Sequence, residues 1–242
     1  MMNQKVLEIS NLRIGYKRAL SLQPISLSAY RKDLICLIGR NGTGKTTLLN
    51  TLSGVIKPMG GDFNICGQPV SSIPARKKSL YVSFVPSKID AVANMTLRNL
   101  IAIGRTPYTN IFDHQQAKDQ QLIEQVIAKF SLEALADRAL SDVSDGEKQK
   151  AMIARSIVQQ TPLILLDEPT AFLDFFAKQQ LLQELKQIAN TENRCILFSC
   201  HDVEMAVEVC DKIWLIDQGK LQELSKNQFN EMNYLKTDDH KK

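Results

Sequence analysis

Gly39-Arg40-Asn41-Gly42-Thr43-Gly44-Lys45-Thr46 combines glycines, a lysine and a hydroxyl at the spacing of a Walker A phosphate-binding loop. The glycines let successive backbone N–H groups turn inward around an anion, and the helix that follows adds the positive end of its dipole. In that geometry Lys45 reaches the β- and γ-phosphates of a nucleotide, and the Thr46 hydroxyl offers magnesium a hard oxygen. Such a loop works only between a strand and a helix. Leu34-Ile35-Cys36-Leu37-Ile38 before it is apolar and partly β-branched, and Thr47-Leu48-Leu49-Asn50-Thr51-Leu52 after it has helical spacing.

A second constellation completes the chemistry. Leu163-Ile164-Leu165-Leu166 is a buried strand that delivers Asp167 and Glu168 at its C-terminal end, the end where open α/β sheets bind ligands. Asp167 is placed to hold magnesium, usually through water, and Glu168 to polarise an attacking water as general base. Two carboxylates at a strand end say little alone, but downstream of a phosphate loop they point to nucleotide hydrolysis. A third segment, Val143-Ser144-Asp145-Gly146-Glu147-Lys148-Gln149, precedes a helical run. Ser144 with Glu147 three residues on is a capping box, and a capped helix start of this kind is also an anion site.

Elements to carry these residues are well supplied. At 242 residues and 44% hydrophobic content the chain can bury a sizeable core, and its 23% of charged residues is ordinary for a globular protein. A net charge of +4 and the short basic run Arg76-Lys77-Lys78, expected on a solvated face, give no groove for a polyanion, so nucleic acid is not an expected partner. No apolar segment approaches the roughly 18 residues that span a bilayer, and Met1-Met2-Asn3-Gln4-Lys5 lacks a signal-peptide core, so a cytosolic chain is expected. Cys36, Cys66, Cys195, Cys200 and Cys210 are odd in number without a CxxC pair; reduced core thiols are expected, and a metal pair at Cys200 and His201 lacks further ligands nearby.

Walker A at Gly39 to Thr46, the Ser-Asp-Gly-Glu segment, Walker B at Leu163 to Glu168 and His201 beyond it, in that order, resemble the nucleotide-binding subunit of an ATP-binding cassette (ABC) transporter, from about residue 6 to about residue 222. The resemblance implies an α/β P-loop NTPase of the ABC type. Its core is a mixed sheet with an antiparallel β subdomain over 1–87 and 161–222, carrying an inserted α-helical subdomain over 88–160 and a tail over 223–242. It also implies ATP and Mg2+ as ligands, with Gly39, Arg40, Asn41, Gly42, Thr43, Gly44, Lys45, Thr46 and Thr47 around the phosphates and Thr46 and Asp167 on the metal. Tyr16 resembles the aromatic that stacks on adenine, Ala171-Phe172-Leu173-Asp174 the loop that signals across the dimer, and His201 the switch histidine that joins Lys45 and Glu168 in hydrolysis. Family members pack head to tail, so ATP on Lys45 of one copy is closed over by Ser144 and Gly146 of the other. With one set of motifs and no internal repeat, this chain should pair with itself or a homologue.

Two departures from the family pattern matter. Ser87-Lys88 stands after the strand expected over Leu80 to Pro86, where the family usually has a glutamine that touches magnesium and transmits movement to the membrane partner. Either Ser87 works through water, a neighbour substitutes, or the coupling is weakened. Asp145 and Glu147 replace a glycine and a glutamine, and both should point away from the nucleotide, because negative side chains near a triphosphate repel it.

Within the inserted region, Thr96 is expected to cap a helix with Leu97, Leu100, Ile101 and Ile103 inward, and a second helix carries Leu122, Val126 and Phe130 with Ile123 and Ile127 beside them. Gly104-Arg105-Thr106-Pro107-Tyr108 is either a proline turn or, by its likeness to the Gly-Arg-x-Pro-Tyr segment of importers for iron-siderophores, haem and cobalamin, a mark of that group. The expected protein is an ATPase subunit, peripheral on the inner face of the membrane, that powers such an importer through a separate permease served indirectly by a substrate-binding protein. The alternatives are a non-transport ABC ATPase and an ATP-binding regulator with weak turnover. The tail, polar and charged with a few apolar residues such as Phe229 and Leu235, is expected to be a short helix with a frayed end.

Overall fold

The computed structural model describes residues 4–16, 18–88, 95–108 and 117–232. Its strands are β1 (Lys5–Arg13), β2 (Ile25–Tyr30), β3 (Leu34–Gly39), β4 (Gly60–Ile65), β5 (Gln68–Pro69), β6 (Val82–Val85), β7 (Leu163–Leu166), β8 (Cys195–Ser199), β9 (Lys212–Asp217) and β10 (Lys220–Leu224). Its helices are α1 (Lys45–Leu52), α2 (Ala75–Lys78), α3 (Leu97–Ala102), α4 (Ala117–Lys129), α5 (Asp145–Val158), α6 (Phe175–Thr191), α7 (Val203–Val209) and α8 (Lys226–Glu231).

The strands form two sheets. A four-stranded antiparallel sheet runs β2-β1-β4-β5, and a six-stranded sheet runs β10-β9-β3-β8-β7-β6 with only β10 antiparallel to its neighbour. The mixed core and the antiparallel subdomain implied by the resemblance are both present. Strands β3, β7 and β8 read as unbroken apolar runs because both faces of the larger sheet are covered. Leu34, Cys36 and Ile38 face a core built with α5, α6 and α7, whereas Ile35 and Leu37 face a second core shared with α1 and the antiparallel sheet. Cys36, Cys195, Cys200 and Cys210 are buried and all five cysteines are unbridged. Burial pushes the Cys195 thiol well above its usual range and the Cys210 thiol up to about 11.

Helices α3, α4 and α5 lie between β6 and β7 in sequence, where the inserted subdomain is expected. Thr96 caps α3 by accepting a 3.2 Å hydrogen bond from the Asn99 amide, and Leu97, Leu100 and Ile101 are buried. Ile103 is not inward. The chain tightens into a 3₁₀ turn over Ile103–Tyr108, which swings Ile103 to the surface at 42% exposure. On α4 the buried stripe runs through Ile123, Val126 and Ile127, with Phe130 just beyond the helix, while Leu122 sits half-buried at the edge.

The 3₁₀ turn lies flat on α5 because Gly104 has no side chain: a Cβ there would come within 2.3 Å of the Arg155 carbonyl oxygen and 2.5 Å of Val158 Cγ2. Gly104→Ala should therefore cost about 1–3 kcal/mol through overpacking, read as a lower midpoint in thermal unfolding.

The tail holds the expected short helix but is tied in more firmly. β10 runs to Leu224, past the expected core boundary, and Ser225 with Gln228 forms a capping box for α8. Phe229 on that helix is 1% exposed and belongs to the main core. Leu235 lies outside the described residues.

Candidate nucleotide site

The strand order lines the expected chemistry along one edge. Reading across neighbouring parallel strands, β3 ends in the glycine loop, β8 runs into His201, β7 into Asp167 and Glu168, and β6 into Ser87. All leave the sheet from the carboxyl ends of their strands, where strand twist and diverging loops open a crevice.

The loop from Gly39 to Lys45 is shaped by its glycines. Gly42 and Gly44 have φ of 78° and 107°, left-handed values that only glycine adopts without strain. At Gly39 a Cβ would meet Thr43 Oγ1 at 2.8 Å, and at Gly44 one would meet Leu20 Cδ1 at 2.6 Å. Thr43 Oγ1 donates to the Arg40 carbonyl at 2.8 Å, and Lys45 Nζ folds over the loop to donate to the Gly39 carbonyl at 2.6 Å. Arg40, Asn41 and Thr46 are exposed, and Thr47 is buried on α1. Partial burial lowers the Lys45 pKa from its usual value, while the nearby carboxylates of Glu168 and Asp167 oppose the shift. The lysine and the Walker B pair therefore share one site. Tyr16 stays 66% exposed, a few residues before the Leu20 that covers the loop.

Asp167 is 1% exposed. Its Oδ1 accepts a 2.7 Å hydrogen bond from Ser199 Oγ, and that oxygen accepts the Glu168 backbone N–H at 2.9 Å. Glu168 has a left-handed φ of 53°, and its Oε1 lies 2.7 Å from His201 Nε2. A left-handed glutamate at a strand end is strained backbone of the kind found at functional sites.

The Ser-Asp-Gly-Glu segment starts α5 with the expected capping box: Ser144 Oγ accepts from the Glu147 amide at 3.3 Å, and Glu147 Oε2 accepts from the Ser144 amide at 2.7 Å. Glu147 thus folds back onto its own helix, and Asp145 pairs with Lys148 at 3.0 Å. Gly146 rests on the next loop, since a Cβ there would lie 3.0 Å from the Phe172 carbonyl oxygen and 3.1 Å from Leu173 Cδ2. Asp174 closes that loop as the N-cap of α6, accepting from the Ala177 amide at 2.9 Å.

Comparison with known proteins decides the family. The pattern of the ABC transporter family matches residues 22–171. An ABC transporter ATP-binding protein of uncharacterised role from Methanocaldococcus jannaschii is 34% identical over 216 residues, 89% of this chain and 74% of that protein. The petrobactin import ATP-binding protein of Bacillus anthracis is 30% identical over 227 residues, 91% of this chain and 83% of its own length. Among solved structures, a metal-chelate type ABC transporter in an inward-facing conformation is similar with a TM-score of 0.79 and 26% identity, covering 92% of this chain and 84% of that one. The chain belongs to the ABC transporter family.

As an ATP-binding cassette it is an ATPase, and its geometry adds what spacing could not show. This ABC ATPase carries two polar tethers absent from the sequence expectations: the Ser199 hydroxyl beneath the Walker B carboxylates, and the buried pair of Arg105 with Asp119, whose nitrogen and oxygen approach to 2.8 Å. A serine closing an apolar strand is the only sequence signal of the first; nothing local marks the second. The Asp167 amide donates a 2.9 Å hydrogen bond to the Val85 carbonyl, holding the end of β6 against the Walker B turn and bringing half-buried Ser87 to the same edge. Cys200 Sγ lies 3.8 Å from Thr170 Oγ1, and among the described residues no group of three His, Cys, Asp or Glu side chains is arranged to hold a metal. Asp167 and Thr46 carry hard oxygens of the kind Mg2+ prefers. No helix among the described residues is long and apolar enough to cross a membrane.

Proposed function

We propose that this ATPase powers an importer for a metal chelate or related cofactor, of the iron-siderophore, haem or cobalamin kind, through a separate membrane permease. The observation that carries its catalytic part is the alignment of Lys45, His201, Glu168 and Asp167 along one sheet edge, with His201 and Glu168 2.7 Å apart. The loop amides, with Thr47 behind them, and Lys45 bind the phosphates; Tyr16 stacks on the base. Thr46 and Asp167 hold magnesium, which when bound offsets phosphate charge. Glu168 takes the proton of the attacking water, and His201 orients Glu168 while facing the γ-phosphate.

Two copies complete the site. Ser144 and Gly146 of the twin close over the phosphates at the capped tip of α5, a helix start that favours anions. The contact between Gly146 and the Phe172-Leu173 loop links that tip to the segment ending at Asp174. The subunit sits on the cytoplasmic face, held there by the permease, and a substrate-binding protein acts on the far side. The direction and cargo class are supported by the petrobactin importer relative, by the metal-chelate type neighbour and by Gly104-Arg105-Thr106-Pro107-Tyr108.

Two measurements test this. Chelating magnesium with EDTA should reduce ATP turnover to background, and restoring Mg2+ should recover it. Co-expression with its membrane permease should co-purify both and raise turnover. Wild-type protein that binds ATP but stays inactive with its permease instead identifies a regulator, the reading favoured by Ser87 in place of glutamine.

A further inference from the structure

Ser199 ends β8, the strand between the lysine loop and the Walker B strand, and it is 0% exposed. Its single hydroxyl bonds in both directions, donating to Asp167 Oδ1 at 2.7 Å and accepting from the Glu168 amide at 2.9 Å. Asp167 can swing about its terminal torsion, which has no sharp rotamer wells, unless an oxygen is held. Glu168 sits in a left-handed conformation at φ 53° that its surroundings must enforce. Two residues beyond Ser199, His201 meets the same glutamate from its side-chain end at 2.7 Å. Strand β8 thus grips the Walker B turn at a carboxylate, at a backbone amide and at a side chain, and Ser199 supplies the first two.

From this geometry we infer that Ser199 is a positioning residue for hydrolysis: it aims the Asp167 carboxylate at the metal and sets the Glu168 backbone from which the general base projects. The inference rests on the roles proposed above for Asp167 and Glu168. A hydroxyl that merely satisfies buried polar atoms would contribute to stability and nothing more. A hydroxyl that aims a metal ligand also governs the response to magnesium, because partners of metal-binding carboxylates tune affinity as well as rate.

The test compares Ser199→Ala, Ser199→Thr and Ile196→Val, the last trimming the same strand without touching the site. Ser199→Ala should lower kcat about 10-fold with the ATP KM nearly unchanged, and raise the magnesium concentration at half-maximal turnover about 10-fold. The same rise should appear without turnover, in the Mg2+ dependence of fluorescent ADP binding. Ser199→Thr, which keeps the hydroxyl, should restore the magnesium response, and Ile196→Val should lower the unfolding midpoint while leaving that response alone. If Ser199→Ala binds magnesium like the wild type while Asp167→Asn and Glu168→Gln abolish turnover, Ser199 is only structural. If those two carboxylate variants stay active, the roles given to the carboxylates fail, and the positioning role with them.

Discussion

Glu168→Gln should reduce ATP turnover by about 10³-fold while nucleotide affinity stays near that of the wild type. The glutamine amide keeps the shape of the carboxylate and can still meet His201 Nε2, now 2.7 Å from Glu168 Oε1, so the substitution removes the proton acceptor and little else. Lys45 and the glycine loop, which grip the phosphates, are untouched. With binding intact and hydrolysis blocked, ATP should hold the two copies together, and size-exclusion chromatography should show an ATP-dependent dimer absent with ADP. Turnover above about a tenth of wild type would assign the proton transfer to another group, since general-base catalysis contributes at least about 10²-fold.

What the sequence revealed of this site was what local spacing encodes. The phosphate loop, the Asp-Glu strand end and the Ser144 capping box each declare themselves within a few residues, because glycine conformation, strand burial and helix capping are short-range effects. Thr96 was legible for the same reason. Ser199 was not, because its partner Asp167 is 32 residues away and meets it only once β7 and β8 pair. Ile103 and Leu122 fit the helical period, yet one lies beyond the last α-turn of α3 and the other on the margin of the α4 stripe. Periodicity names a face without saying where a neighbour's cover ends. Phe229 shows the converse: scattered apolar residues in a polar tail give no period, but α8 folds this one against the main core.

The resemblance of Gly104-Arg105-Thr106-Pro107-Tyr108 to an importer segment and its alternative as a proline turn converge in a structural role. Arg105 reaches back from the turn to the end of α5, donating to the Val158 carbonyl at 2.8 Å and to Gln160 Oε1 at 2.9 Å. Tyr108 lies 4.0 Å from the guanidinium carbon, and its hydroxyl donates to the Gln159 carbonyl at 2.9 Å. The segment therefore fastens the C-terminal end of the helix whose N-terminal end carries Ser144.

The charge that makes this fastening possible comes from Asp119 on α4, and Asp119→Asn should be the most destabilising of these substitutions. Both side chains of the pair are nearly closed to solvent, at 6% and 5% exposure, with Asp119 Oδ1 2.9 Å from Arg105 Nε and 2.8 Å from Nη2. Removing the carboxylate charge strands the guanidinium charge in a poorly hydrated site, and breaking a buried pair in this way costs about 3–5 kcal/mol. For a chain of this size that should lower the unfolding midpoint by roughly 10 °C. A double variant, Arg105→Met with Asp119→Leu, should recover part of the loss, because apolar replacement of both partners leaves no stranded charge. Recovery stays incomplete, since the Val158 carbonyl and Gln160 lose the donor they share. Well below its midpoint, Asp119→Asn should still bind ATP like the wild type, because the pair holds the helical insertion and touches none of the groups that grip phosphate. Equal unfolding midpoints for Asp119→Asn and wild type would show that solvent or a neighbouring group compensates the arginine.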